Sequence, residues 1–287
     1  MRLCRQPGPP RPAPFDIARC RAAPVRIALS AGTDLLTAAG AWMLERGCDG
    51  AMLTLADVPV TALRYVLPAP SADPAFAAYY SADHVLRGPG RIVQGQMTLG
   101  WRDGQPFAHC HALIEDATGQ RACGHLRVES CLLGAGAVAT GHAIAGARFI
   151  AQPCAETGFT LLTPAAATGA GIPGDAAIVK LSPNHDLHAA LVAAARAAGL
   201  RDGVLHGLGS LVGAVFADGQ DLAGPETEFF FTQARLRDGT ADLALTIVDA
   251  AGRRLTGRLA PNRTAVLMTV EALILAACDP ATGERPA

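Results

Sequence analysis

Apolar residues recur along this chain with two periods, and the change from one to the other marks its elements. From Asp34 an Ala- and Leu-rich stretch runs with helical spacing to Leu44-Glu45-Arg46-Gly47, and from Asp186 a similar stretch runs to Arg196-Ala197-Ala198-Gly199. In each, an Asp is placed to cap free amides at the start and a Gly to end the helix in the left-handed conformation. Short apolar runs bounded by turn residues follow both helices and predict strands. They are 51–55 and 60–66 after the first helix, and 204–209 and 211–216 after the second.

The later landmarks also occur twice. Gly88-Pro89 matches Gly224-Pro225, and Asp103-Gly104 matches Asp238-Gly239. The turn Asp116-Ala117-Thr118-Gly119 with Gly124-His125-Leu126 matches Asp249-Ala250-Ala251-Gly252 with Gly257-Arg258-Leu259. A pattern met twice at this spacing is a duplicated unit. Each copy is a helix plus several strands joined largely by hairpins, an α+β unit. The expected division is an Arg/Pro-rich arm, disordered or extended, over 1–24; a first domain over 25–162; an Ala/Gly/Pro linker over 163–177; a second domain over 178–278; and a tail over 279–287.

The candidate chemistry lies in the first copy. Residues two apart on a strand share a face, so Phe107-Ala108-His109-Cys110-His111 puts His109 and His111 on one side. If Asp116 pairs with Gln120 across the turn, His111 lies opposite His125, and opposed residues have Cβ atoms about 4.5–5.5 Å apart. Three imidazoles on one face form a divalent-metal site with an open position. By parity Cys123 shares that face and is a candidate fourth ligand. In the second copy His109, His111 and His125 correspond to Asp242, Ala244 and Arg258, so the same site cannot form there; Arg258 paired with Asp242 is the expected replacement. Glu129 is a candidate proton shuttle or ligand contact beyond His125. Arg64, Tyr65, Tyr79 and Tyr80 are candidates to border a pocket. His188 at the second helix start reads as solvated, and Glu226, Glu228 and Glu271 read as ordinary sheet or edge charges.

Composition narrows the function classes. A chain of 287 residues fits two ordinary domains, and a net charge of −1 offers no global attraction to nucleic acid or an anionic membrane. No apolar run is long enough to span a bilayer, and the N-terminus lacks the apolar core of a secretory signal. Eight cysteines without paired spacing then point to reduced thiols in a cytoplasmic protein. Glycine-rich phosphate loops, nucleophile elbows and dinucleotide fingerprints are missing, which argues against a nucleotide enzyme.

Taken together, the Asp-Leu-Leu and Asp-Leu-His helix starts, Gly207-Leu208-Gly209-Ser210-Leu211-Val212, Gly88-Pro89, and His109-x-His111 with Gly124-His125-Leu126 resemble the PPC domain, the plant and prokaryote conserved domain. The resemblance covers roughly 25–150 and 178–275. It implies two tandem PPC-like domains, each a mostly antiparallel sheet with one or two packed helices. It implies zinc or a similar ion on His109, His111 and His125, and self-association, as a trimer, into a homo-oligomer. Cys123 stands where the family usually has a glycine. Plant members carry DNA-binding AT-hooks with an Arg-Gly-Arg-Pro core; this chain has none, and Pro10-Arg11-Pro12 is not one.

Three readings follow. The first is a metal-binding protein, with a small acidic ligand or a metal-dependent reaction at the open position. The second is a DNA-associated regulator whose arm, with Arg2, Arg5, Arg11, Arg19 and Arg21, touches phosphates. The third is a non-catalytic structural scaffold.

Overall fold

The computed structural model describes residues 1–167 and 174–277. The expected tail and the middle of the expected linker lie outside them. The first unit runs β1 (Phe15–Ala28), α1 (Leu35–Arg46), β2 (Gly50–Ala62), the short strands β3 (Arg64–Val66), β4 (Pro68–Ala69), β5 (Tyr79–Tyr80) and β6 (His84–Val85), then β7 (Gly90–Arg102), β8 (Gln105–Asp116), β9 (Arg121–Leu126), β10 (Leu132–Leu133) and β11 (Val138–Ala145). A hairpin follows, β12 (Ala147–Pro153) and β13 (Thr160–Ala166). The second unit is β14 (Ala176–Leu181), α2 (Leu187–Ala197), β15 (Gly203–Val215), β16 (Asp221–Arg237), β17 (Thr240–Asp249), β18 (Arg254–Arg258) and β19 (Val266–Ala276).

Both units pair their strands in one order. The first reads β1-β11-β2-β7-β8-β9 and the second β14-β19-β15-β16-β17-β18, all antiparallel. The helix ends follow the local chemistry. Asp34 accepts from the Thr37 amide and Asp186 from the Ala189 amide, each at 2.9 Å. Gly47, at φ 63°, closes α1 in the left-handed region, where a side chain would be strained.

The strand bounds shift the expected domain limits. Residues 15–24, expected within the arm, lie in β1, which pairs Phe15–Cys20 with β14 of the second unit and Arg21–Ala28 with β11 of the first. One strand thus joins both sheets. The preceding segment is held on the second unit: Arg2 pairs with Asp221, the Cys4 amide donates to Asn184, and Gln6 Nε2 donates to the Leu267 carbonyl. β13 and β14 each take up part of the expected linker, leaving 167–175 between them.

Strand alternation sorts the side chains into three layers. Leu35, Ala39 and Met43 of α1 pack with Leu53, Met97, Cys110 and Ala112 on one face of the first sheet. Leu187, Leu191 and Ala194 of α2 pack with Phe229, Phe231, Val270 and Ile274 on one face of the second. Between the sheets, Met52, Cys123 and Phe149 of the first half meet Leu208, Phe230 and Leu273 of the second. The other face of each sheet is therefore buried against its counterpart, in a helix-sheet-sheet-helix arrangement.

Candidate metal centre

The three histidines project from the inter-sheet face. On β8, Ala108, Cys110 and Ala112 turn toward α1, so His109 and His111 turn toward the second unit. His111 pairs with His125 across the β8–β9 hairpin, whose turn is closed by the Asp116 amide donating to the Gln120 carbonyl at 3.0 Å and by Gly119 at φ 82°. One ligand atom from each ring lies within 4.8 Å of the other two, and His109 Nε2 is 2.9 Å from His111 Nε2. A tetrahedral ion with bonds of about 2.0–2.1 Å separates its donors by about 3.3 Å, so small ring movements suffice to close on one.

The second unit supplies the surroundings. Glu271 of β19 is 3.0 Å from His109 Nδ1, and the Phe229 carbonyl of β16 is 2.9 Å from His111 Nδ1. These contacts set Nδ1 as the donor on both rings and turn the two Nε2 atoms toward one another. Glu228 of β16 places Oε1 3.7 Å from His111 Nε2 and 3.9 Å from His125 Nδ1. Burial pushes the imidazoles of His111 and His125 well below the usual range, keeping them neutral as metal binding requires. Burial opposes charge on His109 too, but the Glu271 carboxylate outweighs it and raises its pKa. Burial raises Glu228 to about 8. Among the described residues, His125 Nδ1, Glu228 Oε2 and Glu271 Oε2 are buried without a hydrogen-bond partner. Buried orphan donors and acceptors around three convergent imidazole nitrogens form a group that could hold a metal ion.

A cavity of about 480 Å³ opens onto this cluster. Its wall carries Tyr79, Tyr80, Phe107 and Phe159, with Arg102 and Arg127. The Tyr80 ring packs 5.0 Å from that of His125, and the Arg127 guanidinium lies 5.4 Å from the centre of Tyr80.

Other expected site residues fall elsewhere. Cys123 packs in the apolar layer between the sheets, outside the convergent group, and burial pushes its thiol up to about 12. Arg64 pairs with Asp83 and Tyr65 stacks on His84 at 5.1 Å; neither lines the cavity. Glu129 does line it, exposed, on a 3₁₀ turn (Val128–Ser130) rather than on a strand. His188 is buried rather than solvated. In the second unit Ala244 pairs with Arg258, the register equivalent of His111 with His125, and Arg258 forms a half-exposed ion pair with Asp242.

Glu228 and Glu271 are the residues that sequence reasoning passed over as ordinary charges. Two signals mark them. Glu271 is the one charged residue in the wholly buried strand Val266–Ala276, and Glu228 immediately precedes Phe229-Phe230-Phe231. Parity then sets both on the inter-sheet face, with Leu273 and Phe230.

No protein-family model matches the chain, and no curated protein does. Among solved structures, a metal-containing protein from Archaeoglobus fulgidus matches at 20% identity and a TM-score of 0.40, over 52% of this chain and 96% of its own. A plant- and prokaryote-conserved (PPC) protein from Pyrococcus horikoshii matches at 17% identity and a TM-score of 0.35, over 52% of this chain and 93% of its own. The chain is similar to a PPC protein over about half its length.

Proposed function

We propose that the chain binds one divalent metal, zinc, through His109, His111 and His125, and offers a small acidic molecule a place beside it. The observation that carries this reading is the convergence of three ligand nitrogens within 4.8 Å at the floor of a cavity of about 480 Å³. That size suits a small-molecule site. When bound, such an ion supplies Lewis-acid polarisation of an oxygen ligand and lowers the pKa of bound water.

The chain's own groups do the rest. Glu271 and the Phe229 carbonyl hold the rings of His109 and His111 in the ligating tautomer. Tyr80 and Phe159 exclude water from one side of the cavity, and Arg102 and Arg127 bring positive charge to its wall for a carboxylate. The DNA-associated alternative draws on the N-terminal arm, where Arg2 and Arg11 are already held by Asp221 and Asp16. No helix among the described residues is long and apolar enough to cross a membrane.

Chelator competition with Zn²⁺ on the full chain tests the reading. Tight uptake by the wild type that is lost in His111→Ala supports it, followed by calorimetry of small carboxylates against metal-loaded protein. Equal uptake by His111→Ala contradicts it.

A further inference from the structure

Glu228 reaches the histidine cluster from the opposite sheet. It lies on β16 of the second unit, is 6% exposed, and its Oε1 stands 3.7 Å from His111 Nε2 and 3.9 Å from His125 Nδ1. Neither distance is a hydrogen bond. Both are a few tenths of an ångström beyond the donor separation of about 3.3 Å in a tetrahedral site. From these observations we infer that Glu228 is the fourth protein ligand of the metal, so that the centre is built across the interface of the two units.

Three further features support the assignment, which rests on the metal-binding function proposed above. The first is polar accounting. Glu228 Oε2 and His125 Nδ1 are both buried without a hydrogen-bond partner among the described residues, and a buried polar atom left unpaired is costly. One ion between them gives His125 Nδ1 its partner and draws the carboxylate into use.

The second is charge. Three neutral imidazoles leave a divalent ion with its full charge in a buried layer. Glu228 and Glu271, the latter 3.0 Å from His109 Nδ1, bring two carboxylates to balance it. The third is the comparison of the two copies. The second unit has Asp242, Ala244 and Arg258 at the positions of the triad, yet it places acidic groups on the face that meets the triad. It has no triad of its own and contributes to its neighbour's.

The consequence is that metal binding and docking of the two sheets are coupled. The first unit by itself holds three ligands on an uncovered sheet face. The docked pair holds four ligands, with His109 and His111 oriented from the second unit. A small acidic ligand in the cavity then competes with Glu228 or adds a fifth donor, instead of meeting an ion with one empty position.

Co²⁺ is a suitable probe, because its visible absorption reports ligand number and type. The full-length wild type is expected to take up Co²⁺. Glu228→Gln is expected to bind it at least about 100-fold more weakly, beyond the usual effect of losing an outer-shell partner, with an altered spectrum, and Glu228→Asp to recover part of both. Should Glu228→Gln not fold, the Co²⁺-loaded wild type decides by anomalous diffraction, with a Glu228 oxygen expected at about 2.0–2.2 Å from the ion. Unchanged affinity and spectrum in Glu228→Gln, or a water between the ion and Glu228, overturns this inference and leaves the histidine site standing. A wild type that takes up no metal overturns both.

Discussion

Replacing Glu271 by Gln tests whether the second unit tunes the first unit's ligands. The His109 Nδ1 to Glu271 Oε1 contact is 3.0 Å, and the two side chains are 14% and 2% exposed, so solvent screens it little. A hydrogen bond to a charged group contributes about 1.5–3 kcal/mol. Gln keeps an acceptor for the His109 N–H but removes the negative charge that favours both this tautomer and the nearby cation. The expected loss is about 1.4–2.8 kcal/mol of metal affinity, or 10- to 100-fold, as for other carboxylates behind metal-bound histidines. Competition between the chain and a coloured chelator for Zn²⁺ measures it, and denaturant unfolding of the metal-free proteins separates it from a loss of fold. Imidazole ¹⁵N shifts add a readout that packing alone would not move: His109 should be protonated at Nδ1 in the wild type and mixed in the variant. A Zn²⁺ affinity within about twofold of wild type, with the tautomer unchanged, would refute the positioning role.

Other outcomes follow from the same contacts. Burial raises the Glu228 pKa from 4.5 to about 8, so in the metal-free chain its contribution to stability is full below about 4.5 and is lost as pH rises through about 8. Metal-free Glu228→Gln should therefore gain stability relative to wild type between pH 5 and pH 8 in urea titrations, and a constant difference would contradict that. Phe230→Ala empties a fully buried position between the sheets; it should cost about 3–5 kcal/mol of stability and weaken Zn²⁺ binding as well, whereas a packing loss with metal affinity intact would uncouple the two. Asp242→Asn breaks an ion pair whose side chains are 56% and 52% exposed, so its cost should stay within about 1 kcal/mol in thermal unfolding. A larger loss would mean that Arg258 and Asp242 replace the metal energetically as well as in register.

Local patterning carried much of the fold into the sequence. Asp34 and Asp186 cap their helices, Gly47 ends α1, and the Asp116–Gly119 turn brings His111 opposite His125. Each depends on residues close in the chain. What stayed hidden depends on how distant segments dock. β1 carries Arg19, Arg21 and Pro24 and reads as an arm, yet it has partner strands in both sheets because pairing uses its backbone and leaves its polar side chains at the surface. Glu228 and Glu271 acquire meaning only when the second sheet covers the first, at 117 and 160 residues along the chain from His111. Cys123 lies on the face that parity predicts, but in the apolar layer between the sheets and outside the group of three convergent histidines.

The metal-to-chain ratio of the reconstituted, full-length protein tests the central claim most directly. Elemental analysis after removal of loose ions should give one Zn²⁺ per chain for the wild type and close to none for His111→Ala. A wild-type ratio of two, placing an ion in the second unit as well, or a ratio of zero, would contradict a single centre on His109, His111 and His125.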